Sequence, residues 1–253
     1  QWGELFRDQS VFLRVDTGAG RGHHKHVKTA GAEAKFGIPM DQLTSNLSLM
    51  SELNLNVTGL HCHVGSGILT PENWYENGEL LKELIAHFPN LKSIDLGGGL
   101  GVVEKPEQSA LNLKEMDRLL LELKKHLNGI ELWLEPGRFI SAESGVLLAR
   151  VTQLKGKGKS QYVGVETGMN SLIRPALYGA YHPIVNLTRL QEVADKRYTI
   201  VGPICETGDK LGVDRLLPEC FEGDVLLVAN AGAYGRVMSS NYNLREPARE
   251  VMV

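Results

Sequence analysis

The segment LHCHVGSG, residues 60–67, places two histidines and a serine at the end of an apolar run that then stops at glycines. His61 and His63 are two residues apart, so on a strand they face the same side. One interpretation is a metal-binding pair, which is weak because we find no further ligand cluster of suitable spacing nearby. A second is a ring stacked on a flat cofactor, with Ser66 near an anion. The third is one packed and one hydrogen-bonded histidine.

Three consecutive glycines follow an apolar run in DLGGGLG, residues 95–101. Glycine weakens a strand through its backbone entropy, so the run calls for a reason. One reason is a ligand that approaches the backbone closely, with N–H groups around a phosphate. The other is a tight turn. The pattern is not the GxGxxG fingerprint of dinucleotide-binding proteins.

A Pro-Gly turn at the end of a further strand separates an acid from a base in LEPGRF, residues 134–139. A carboxylate such as Glu135 can hold a protonated ring nitrogen. A guanidinium such as that of Arg138 can bind a carboxylate or a phosphate with two hydrogen bonds. The alternative is a salt bridge across the turn.

Three later segments add side chains that could take part in catalysis or ligand binding. Cys205 stands beside Glu206 before a Thr-Gly turn, which suits either a proton donor or a small buried apolar residue. Arg174 and Tyr178 are four residues apart. Tyr234 lies between glycines in NAGAYG, residues 230–235, so its hydroxyl is not committed to dense packing.

Six motifs together resemble those of the fold-type III pyridoxal-phosphate decarboxylases, in that family's order and spacing. The resemblance covers residues 11–253, and its motifs are HCHVGSG, DLGGGLG, EPGRF, RPALYGAYH, CETGD and AGAYGRVMSSNYN. Each motif alone is weak evidence, but six in sequence are highly specific. The segment 22–37 is similar to the one that follows the fifth barrel strand in this family.

The resemblance implies pyridoxal 5′-phosphate as cofactor. The residues that it implies for cofactor binding are His63, Ser66, Gly97, Gly98, Gly99, Glu135, Pro136, Gly137, Arg138 and Tyr234. His63 would stack on the pyridine ring, Ser66 and the glycine amides would hold the phosphate, and Glu135 would keep the ring nitrogen protonated. The residues that it implies for substrate binding are Arg138, Arg174, Tyr178, Glu206 and Tyr234. Cys205 would be the catalytic proton donor.

The implied reaction is loss of CO2 from meso-2,6-diaminopimelate to give L-lysine, since Arg174 and Glu206 suit charged groups at the far end of that substrate. The alternatives are another basic amino-acid decarboxylase of the same fold, or a non-catalytic homologue. No lysine here matches the one that holds the cofactor covalently in this family, so we expect it before Gln1, in a longer chain. We also expect a homodimer with shared active sites, and no metal.

The elements that must position these residues alternate between strand and helix in the first half of the chain. Apolar residues recur at helical spacing in 43–50, 80–88 and 116–127. The four short runs of buried-strand length are VFLRVDTG, VTGLHCHVG, SIDLGGG and IELWLEPG. This alternation predicts a parallel sheet. The polar and glycine residues collect just after the strands, where barrel active sites lie.

Four strands make half a barrel, and the pattern changes from about residue 141 to strand-like runs with little helix between them. We therefore predict an α/β fold: the C-terminal half of an alanine-racemase-like (β/α)8 barrel over 1–145, then a β-rich domain over 146–253. KGKGK, residues 155–159, predicts an exposed hairpin turn. The final residues, REPAREVMV, predict a further strand.

The composition is that of an ordinary globular protein, with 42% apolar residues, 23% charged residues and a net charge of −3. This balance gives no reason to expect nucleic acid or an acidic membrane as partner. No apolar run reaches the roughly 18 residues of a transmembrane helix. Three cysteines without a CxxC motif do not indicate a disulfide framework, which favours the cytoplasm. We assign Cys62 to the core and Cys220 to the surface.

Overall fold

The structure is a computed structural model that describes residues 3–18, 31 and 34–253. Most of the segment 22–37 noted above lies outside the described residues. Among the helices that are described, none combines the length and the apolar character needed to span a membrane.

The chain divides into two compact units. The first comprises Gln1–Val102 and Ser109–Phe139, and the second comprises Val103–Gln108 and Ile140–Val253. The second unit thus includes a short piece from the middle of the chain. The domain boundary after residue 145 stays a prediction.

The first unit contains a five-stranded sheet in the order β2-β1-β3-β4-β5, and every neighbouring pair in it is parallel. Its strands are β1 (Ser10–Asp16), β2 (Ile38–Pro39), β3 (Asn56–His61), β4 (Ser93–Asp95) and β5 (Glu131–Trp133). β3 and β4 are buried almost throughout. Such burial is typical of central strands in a parallel sheet covered by helices.

Helices connect these strands. They are α1 (Met40–Ser45), α2 (Leu47–Glu52), α3 (Glu72–Lys82) and α4 (Leu113–Lys125), with 3-10 turns at Gly3–Phe6 and Ile85–His87. The side chain of Asn112 caps α4 by accepting a hydrogen bond from the Glu115 amide at 3.1 Å. The core of this unit is built on fully buried side chains, among them Leu60, Trp74 and Ile94.

Two of the three predicted helical segments differ from the structure in detail. The segment 43–50 forms two short helices that meet at Asn46, whose side-chain amide donates to the Gln42 carbonyl at 2.7 Å. A side chain that bonds its own backbone competes with a continuous helix. The segment 80–88 leaves the regular helix after Lys82 and ends in the 3-10 turn. The third segment is helical as predicted.

The second unit contains a six-stranded sheet in the order β10-β9-β7-β6-β11-β8. Its pairs are antiparallel except β7 with β9. Its strands are β6 (Leu147–Lys157), β7 (Ser160–Val165), β8 (Ile184–Asn186), β9 (Lys196–Val201), β10 (Lys210–Leu217) and β11 (Val225–Val228). The helical pieces outside both sheets are α5 (Arg138–Ser141), α6 (Arg174–Tyr178) and the 3-10 turns Ala142–Ser144, Leu187–Arg189, Arg236–Met238 and Tyr242–Leu244.

The predicted order of a parallel α/β region followed by a β-rich region is confirmed, and so is the hairpin, in which Lys157 pairs with Ser160. The predicted C-terminal strand is wrong: residues 245–253 form no strand. Cys62 is buried as predicted, but the surface assignment of Cys220 is also wrong, because it is 2% exposed and its thiol donates to the Pro218 carbonyl.

Candidate functional site

Three of the predicted motifs follow neighbouring strands of the parallel sheet. In the register of that sheet, His61 pairs with Asp95 and Asp95 pairs with Trp133. The carboxyl ends of these parallel strands therefore lie side by side. The pairing continues past the strands, since the Ile68 amide donates to the Gly99 carbonyl at 2.9 Å. The first unit thus brings HCHVGSG, DLGGGLG and EPGRF together at one edge.

The three glycines stand where neighbouring backbone segments approach closely. A Cβ atom at Gly98 would lie 2.3 Å from the Glu135 carbonyl oxygen, and one at Gly99 would lie 2.3 Å from the Gly65 carbonyl oxygen. Gly99 also has a φ of +89°, which side chains rarely allow. Close packing of strand ends is therefore one reason for this run of glycines, whether or not a ligand approaches it.

His63 is held as an acceptor beside this run. Its Nδ1 accepts a hydrogen bond from the Gly98 amide at 3.1 Å, while the Gly97 amide donates to Asp95 at 2.8 Å. Burial lowers the pKa of His63, and the charge of Arg14 lowers it further. The imidazole therefore presents a neutral, half-buried ring. Because both amides have partners here, their contact with a phosphate stays a prediction.

Arg138 and Ser66 meet at the same edge. Arg138 begins α5 directly after the Pro136–Gly137 turn and is 5% exposed, and its Nη2 donates to the Ser66 hydroxyl at 3.4 Å. Arginine stays charged even when it is buried. A buried guanidinium beside a hydroxyl at strand ends is a suitable arrangement for binding an anion.

A triad of His61, Asp95 and Glu135 lies at this edge, and the sequence analysis did not identify it. His61 Nε2 is 3.4 Å from a Glu135 carboxylate oxygen, and one nitrogen or oxygen of each residue lies within 4.8 Å of the others. Burial raises the pKa of Asp95, and the neighbouring Glu135 raises it too. Ligand-type residues therefore lie beside His61 in space, although the sequence near it has no further cluster of ligand spacing. The signal was the parallel register, since His61 and Asp95 end adjacent strands.

In the second unit, Arg174 is the centre of a buried polar group. It is 4% exposed, it shares a 3.1 Å hydrogen bond with His182 Nε2, and its Nη2 lies 3.7 Å from Glu104. His182 Nδ1 is 2.8 Å from the Ala229 carbonyl, so Nδ1 carries the proton and Nε2 accepts from the arginine. Tyr178 ends the same short helix and is half-buried. Sequence reasoning missed Glu104 and His182 as partners of Arg174.

Cys205 and Glu206 both contact the segment that closes the predicted AGAYGRVMSSNYN motif. Cys205 is exposed, and the Asn243 side-chain amide lies 3.1 Å from its sulfur. Glu206 accepts a hydrogen bond from the Tyr242 hydroxyl, which raises the pKa of that tyrosine. The alternative that Cys205 is a small buried core residue is therefore wrong.

Tyr234 adopts an uncommon backbone conformation for a residue with a side chain. Its φ is +65° and its ring is 47% exposed. Non-glycine residues in the left-handed region concentrate at functional sites, where the surrounding structure holds them. Tyr234 therefore lies at the surface of the second unit, which agrees with the expectation that its hydroxyl is not densely packed.

The residues at the edge of the first sheet fit a flat, phosphorylated, cationic ring. His63 offers a neutral ring face, and Arg138 with Ser66 offers donors to a phosphate. Glu135 is 55% exposed at its side chain and so is accessible to a cationic nitrogen. His61 Nε2 is buried without a hydrogen bond, which shows that the polar groups of the edge are not all satisfied within the described residues.

Two family models match this chain. One describes the pyridoxal-binding domain of pyridoxal-dependent decarboxylases and matches residues 3–142. The other describes the C-terminal sheet domain of pyridoxal-dependent decarboxylases and matches residues 75–232.

Curated relatives and solved structures agree with these models. The diaminopimelate decarboxylases of Pseudomonas aeruginosa and Aquifex aeolicus are 42% and 39% identical to this chain over 99% of its length. The chain spans about 60% of the length of each of these relatives. A crystal structure of diaminopimelate decarboxylase has a TM-score of 0.84 at 34% identity, covering 96% of this chain and 62% of that one.

The Helicobacter pylori diaminopimelate decarboxylase complexed with L-lysine gives a TM-score of 0.83 at 31% identity, covering 93% of this chain and 59% of that one. The α/β fold is therefore that of the fold-type III decarboxylases, as predicted. Since a family model matches more than half of the chain and the strand-end residues fit the cofactor, the chain belongs to the pyridoxal-dependent decarboxylases, whose cofactor is pyridoxal 5′-phosphate.

Proposed function

We propose that the full-length protein removes one carboxylate of meso-2,6-diaminopimelate as CO2 and leaves L-lysine. The observation that carries this proposal is the set of relatives named diaminopimelate decarboxylase, which are 34–42% identical over 96–100% of this chain. A structural neighbour of that name was solved in complex with L-lysine, the product that the proposal requires.

We propose that the strand-end residues of the first unit bind the cofactor. Bound pyridoxal phosphate supplies an electron sink for the electron pair that CO2 leaves behind. Glu135 holds the proton on the ring nitrogen, which keeps that sink strong. His63 lies against the ring face, and Ser66, Arg138 and the amides of Gly97–Gly99 bind the phosphate. The buried Arg138–Ser66 contact supports this assignment.

We propose that the second unit binds the substrate. Arg174 and Tyr178 hold a substrate carboxylate, together with Arg138, and Glu206 holds the distal ammonium group. Tyr234 contacts both substrate and cofactor. The burial of Arg174 supports this, because a guanidinium shielded from water binds a carboxylate more strongly than an exposed one.

We propose that the Cys205 thiol gives its proton to the carbon that has lost CO2. The S–H bond breaks, the C–H bond forms, and the thiolate takes a new proton from water. The Asn243 amide at 3.1 Å supports this role, because an N–H donor stabilises the thiolate after the proton has left.

The test uses the full-length protein with its cofactor and four substrates: meso-2,6-diaminopimelate, L-lysine, L-ornithine and L-arginine. Released CO2 and the amine product are measured for each. We expect kcat/KM for meso-2,6-diaminopimelate to exceed the others by about 100-fold or more, because the proposed site pairs a carboxylate as well as an ammonium group at the far end of the substrate, and the other three substrates lack that carboxylate. A higher kcat/KM for one of the other three would identify another basic amino-acid decarboxylase. Bound cofactor with no turnover of any substrate would identify a non-catalytic homologue, and either result overturns the proposal.

We also propose that the protein is a cytoplasmic homodimer whose two active sites each take residues from both chains. The resemblance to the family supports the shared site, and the three cysteines are unpaired, as is usual in a reducing compartment. Sedimentation of the purified protein at its working concentration tests the dimer, and cell fractionation tests the location. A monomer with full activity would contradict the shared site.

A further inference from the structure

The triad of His61, Asp95 and Glu135 is built from three adjacent strand ends. His61 and Asp95 are the last residues of β3 and β4 and are paired in the parallel register. Glu135 stands two residues after β5, and its amide donates to the Gly97 carbonyl at 2.9 Å, which fixes its backbone beside β4. The backbone positions of all three residues are thus set by the sheet.

One side chain of the triad lacks a hydrogen-bond partner among the described residues, although the backbone positions of all three residues are fixed. His61 Nε2 is buried and makes no hydrogen bond within the part of the chain that the structure describes, although a Glu135 carboxylate oxygen lies only 3.4 Å away. Buried polar atoms without a partner are rare in native proteins, so each one calls for an explanation. Glu135 is 55% exposed at its side chain, so packing does not hold its carboxylate in one place. A small rotation of that side chain would give the imidazole its missing partner.

We propose that His61 is a positioning residue that acts through Glu135: its Nε2–H donates to the Glu135 carboxylate and holds it, ionised, toward the ring nitrogen of the cofactor. This inference rests on the proposed role of Glu135. Asp95 is the third member, and its carboxylate accepts a hydrogen bond from the Gly97 amide.

A divalent metal on the same three residues is the competing interpretation, since an imidazole and two carboxylates are common ligands. The structure favours the positioning role because Asp95 Oδ1 already accepts a hydrogen bond from the Gly97 amide, and because a metal would neutralise the carboxylate that the ring nitrogen needs. A metal ion bound stoichiometrically to the triad in the purified full-length protein would overturn the proposal.

The experiment measures how strongly binding depends on the ring nitrogen. Full-length protein is freed of its cofactor, and dissociation constants are determined for pyridoxal phosphate and for its analogue with C–H in place of the ring nitrogen. The ratio of the two constants isolates the nitrogen contact, because every other contact is shared. The variants are His61→Phe, His61→Gln, Glu135→Gln and the double variant His61→Phe/Glu135→Gln. His126→Phe, on the exposed end of α4, is the matched control.

We expect Glu135→Gln and His61→Phe each to reduce the preference for the nitrogen-containing cofactor by about tenfold, as for a lost hydrogen bond to a charged group. The double variant should lose no more than Glu135→Gln alone, because both changes remove one interaction. His61→Gln keeps a donor and should stay within about threefold of the parent, and His126→Phe should be unchanged.

The two possible failures are distinguishable. If Glu135→Gln leaves the preference unchanged, the proposed role of Glu135 is wrong and the inference falls with it. If Glu135→Gln lowers the preference but His61→Phe does not, the inference alone is overturned. A His61→Gln variant that is folded by circular dichroism, yet loses as much as His61→Phe, would show that ring shape matters and hydrogen-bond donation does not.

Discussion

Gly98 illustrates at the scale of a single residue how closely the strand-end segments approach. A Cβ atom there would meet a backbone oxygen of Glu135 at 2.3 Å, and backbone cannot rotate away as a flexible side chain can. Whatever the cofactor requires, the protein itself requires glycine at this position.

We therefore predict that Gly98→Ala lowers the free energy of unfolding by about 1–3 kcal/mol, as overpacking of a well-packed site does. It should also weaken cofactor binding, because relief of the clash displaces the Glu135 backbone. Urea unfolding and cofactor titration of the full-length protein measure the two effects. Gly208→Ala is the control, because no atom lies within 4 Å of its added Cβ. Equal effects of the two substitutions would contradict this explanation.

The three cysteines differ in their accessibility, and burial raises the pKa of two of them. Cys205 is exposed, whereas Cys62 and Cys220 are buried. Burial raises the pKa of the Cys62 thiol to about 12, and the neighbouring Asp95 raises it as well. Burial also raises the pKa of Cys220. Only a thiolate reacts with an alkylating agent.

We predict that iodoacetamide at pH 8 modifies Cys205 in the native protein and leaves the other two cysteines unmodified. Peptide mapping by mass spectrometry identifies the modified residue, and the same reaction in urea should modify all three. Modification of Cys62 before Cys205 under native conditions would contradict the burial described here.

At the scale of the elements, helix α3 supports the site from behind. Trp74 on α3 is fully buried, and its indole N–H donates to the Gly98 carbonyl at 3.1 Å. This contact ties the outer helix to the glycine turn that lies beside Glu135 and His63. The same helix packs against α4, where Gly78 leaves room for Leu123.

We predict that Trp74→Phe lowers the free energy of unfolding by about 2–3 kcal/mol, because it removes buried volume and leaves the Gly98 carbonyl without a donor. Trp133→Phe is the matched control, since Trp133 is 45% exposed and its indole N–H donates to the exposed Glu131 side chain. We expect the control to lose less than about 1 kcal/mol. Chemical unfolding of both variants measures the difference, and equal losses would show that α3 does not support the turn in this way.

Asp224 accepts hydrogen bonds from three groups of the second unit. It accepts hydrogen bonds from the Asn186 side chain at 2.9 Å, from Arg189 at 3.0 Å and from the Phe221 amide at 2.9 Å. Burial alone would raise the pKa of Asp224, but these hydrogen bonds together lower it below its usual 3.8. In the folded state the carboxyl therefore holds on to its proton less strongly than in the unfolded state.

Because the pKa of Asp224 is lower in the folded state than in the unfolded state, ionisation of this carboxyl stabilises the folded protein. The stability that Asp224 contributes is complete above pH 3.8 and is lost as the pH falls through the lower folded-state pKa. We predict that Asp224→Asn lowers the free energy of unfolding by about 1–3 kcal/mol at pH 7 and flattens the loss of stability below pH 4. Urea unfolding at pH 7 and pH 3 tests this. The exposed Asp195→Asn is the control, and a parallel pH dependence in both variants would refute the assignment.

At the scale of the whole molecule, the proposed shared site predicts complementation between inactive chains. Glu135→Gln removes the proposed cofactor contact, and Cys205→Ala removes the proposed proton donor. If each site takes these residues from different chains, a mixed dimer contains one intact site. We predict that dissociating and reassociating an equimolar mixture of the two variants restores about one quarter of the parent activity, from half of the dimers with one working site each. Mixed dimers that form but stay inactive would contradict the shared site.

Much of the fold could be predicted from the sequence because its pattern is local. The four apolar runs that end in glycine or polar residues correctly predicted β1, β3, β4 and β5, and helical spacing correctly predicted α4. In the β-rich region the strand-like runs were GVLLARVTQL, SQYVGVET, RYTIVGPIC and DVLLVANAG, which correspond to β6, β7, β9 and β11. β8 and β10 were missed, since β10 carries Lys210, Asp214 and Arg215 and so does not resemble a buried strand. The break at Asn46 was missed because apolar spacing carries no record of a side-chain hydrogen bond such as the one from Asn46 to Gln42.

The type of fold, the family and the strand-end positions of His63, the glycines and Glu135 could be read from the amino-acid order, because motif order and apolar periodicity are local properties of the chain. The triad of His61, Asp95 and Glu135 and the burial of Arg174 with Glu104 and His182 became visible in the folded chain. Parallel pairing and burial bring together side chains that are tens of residues apart, and no local pattern records which of them will meet.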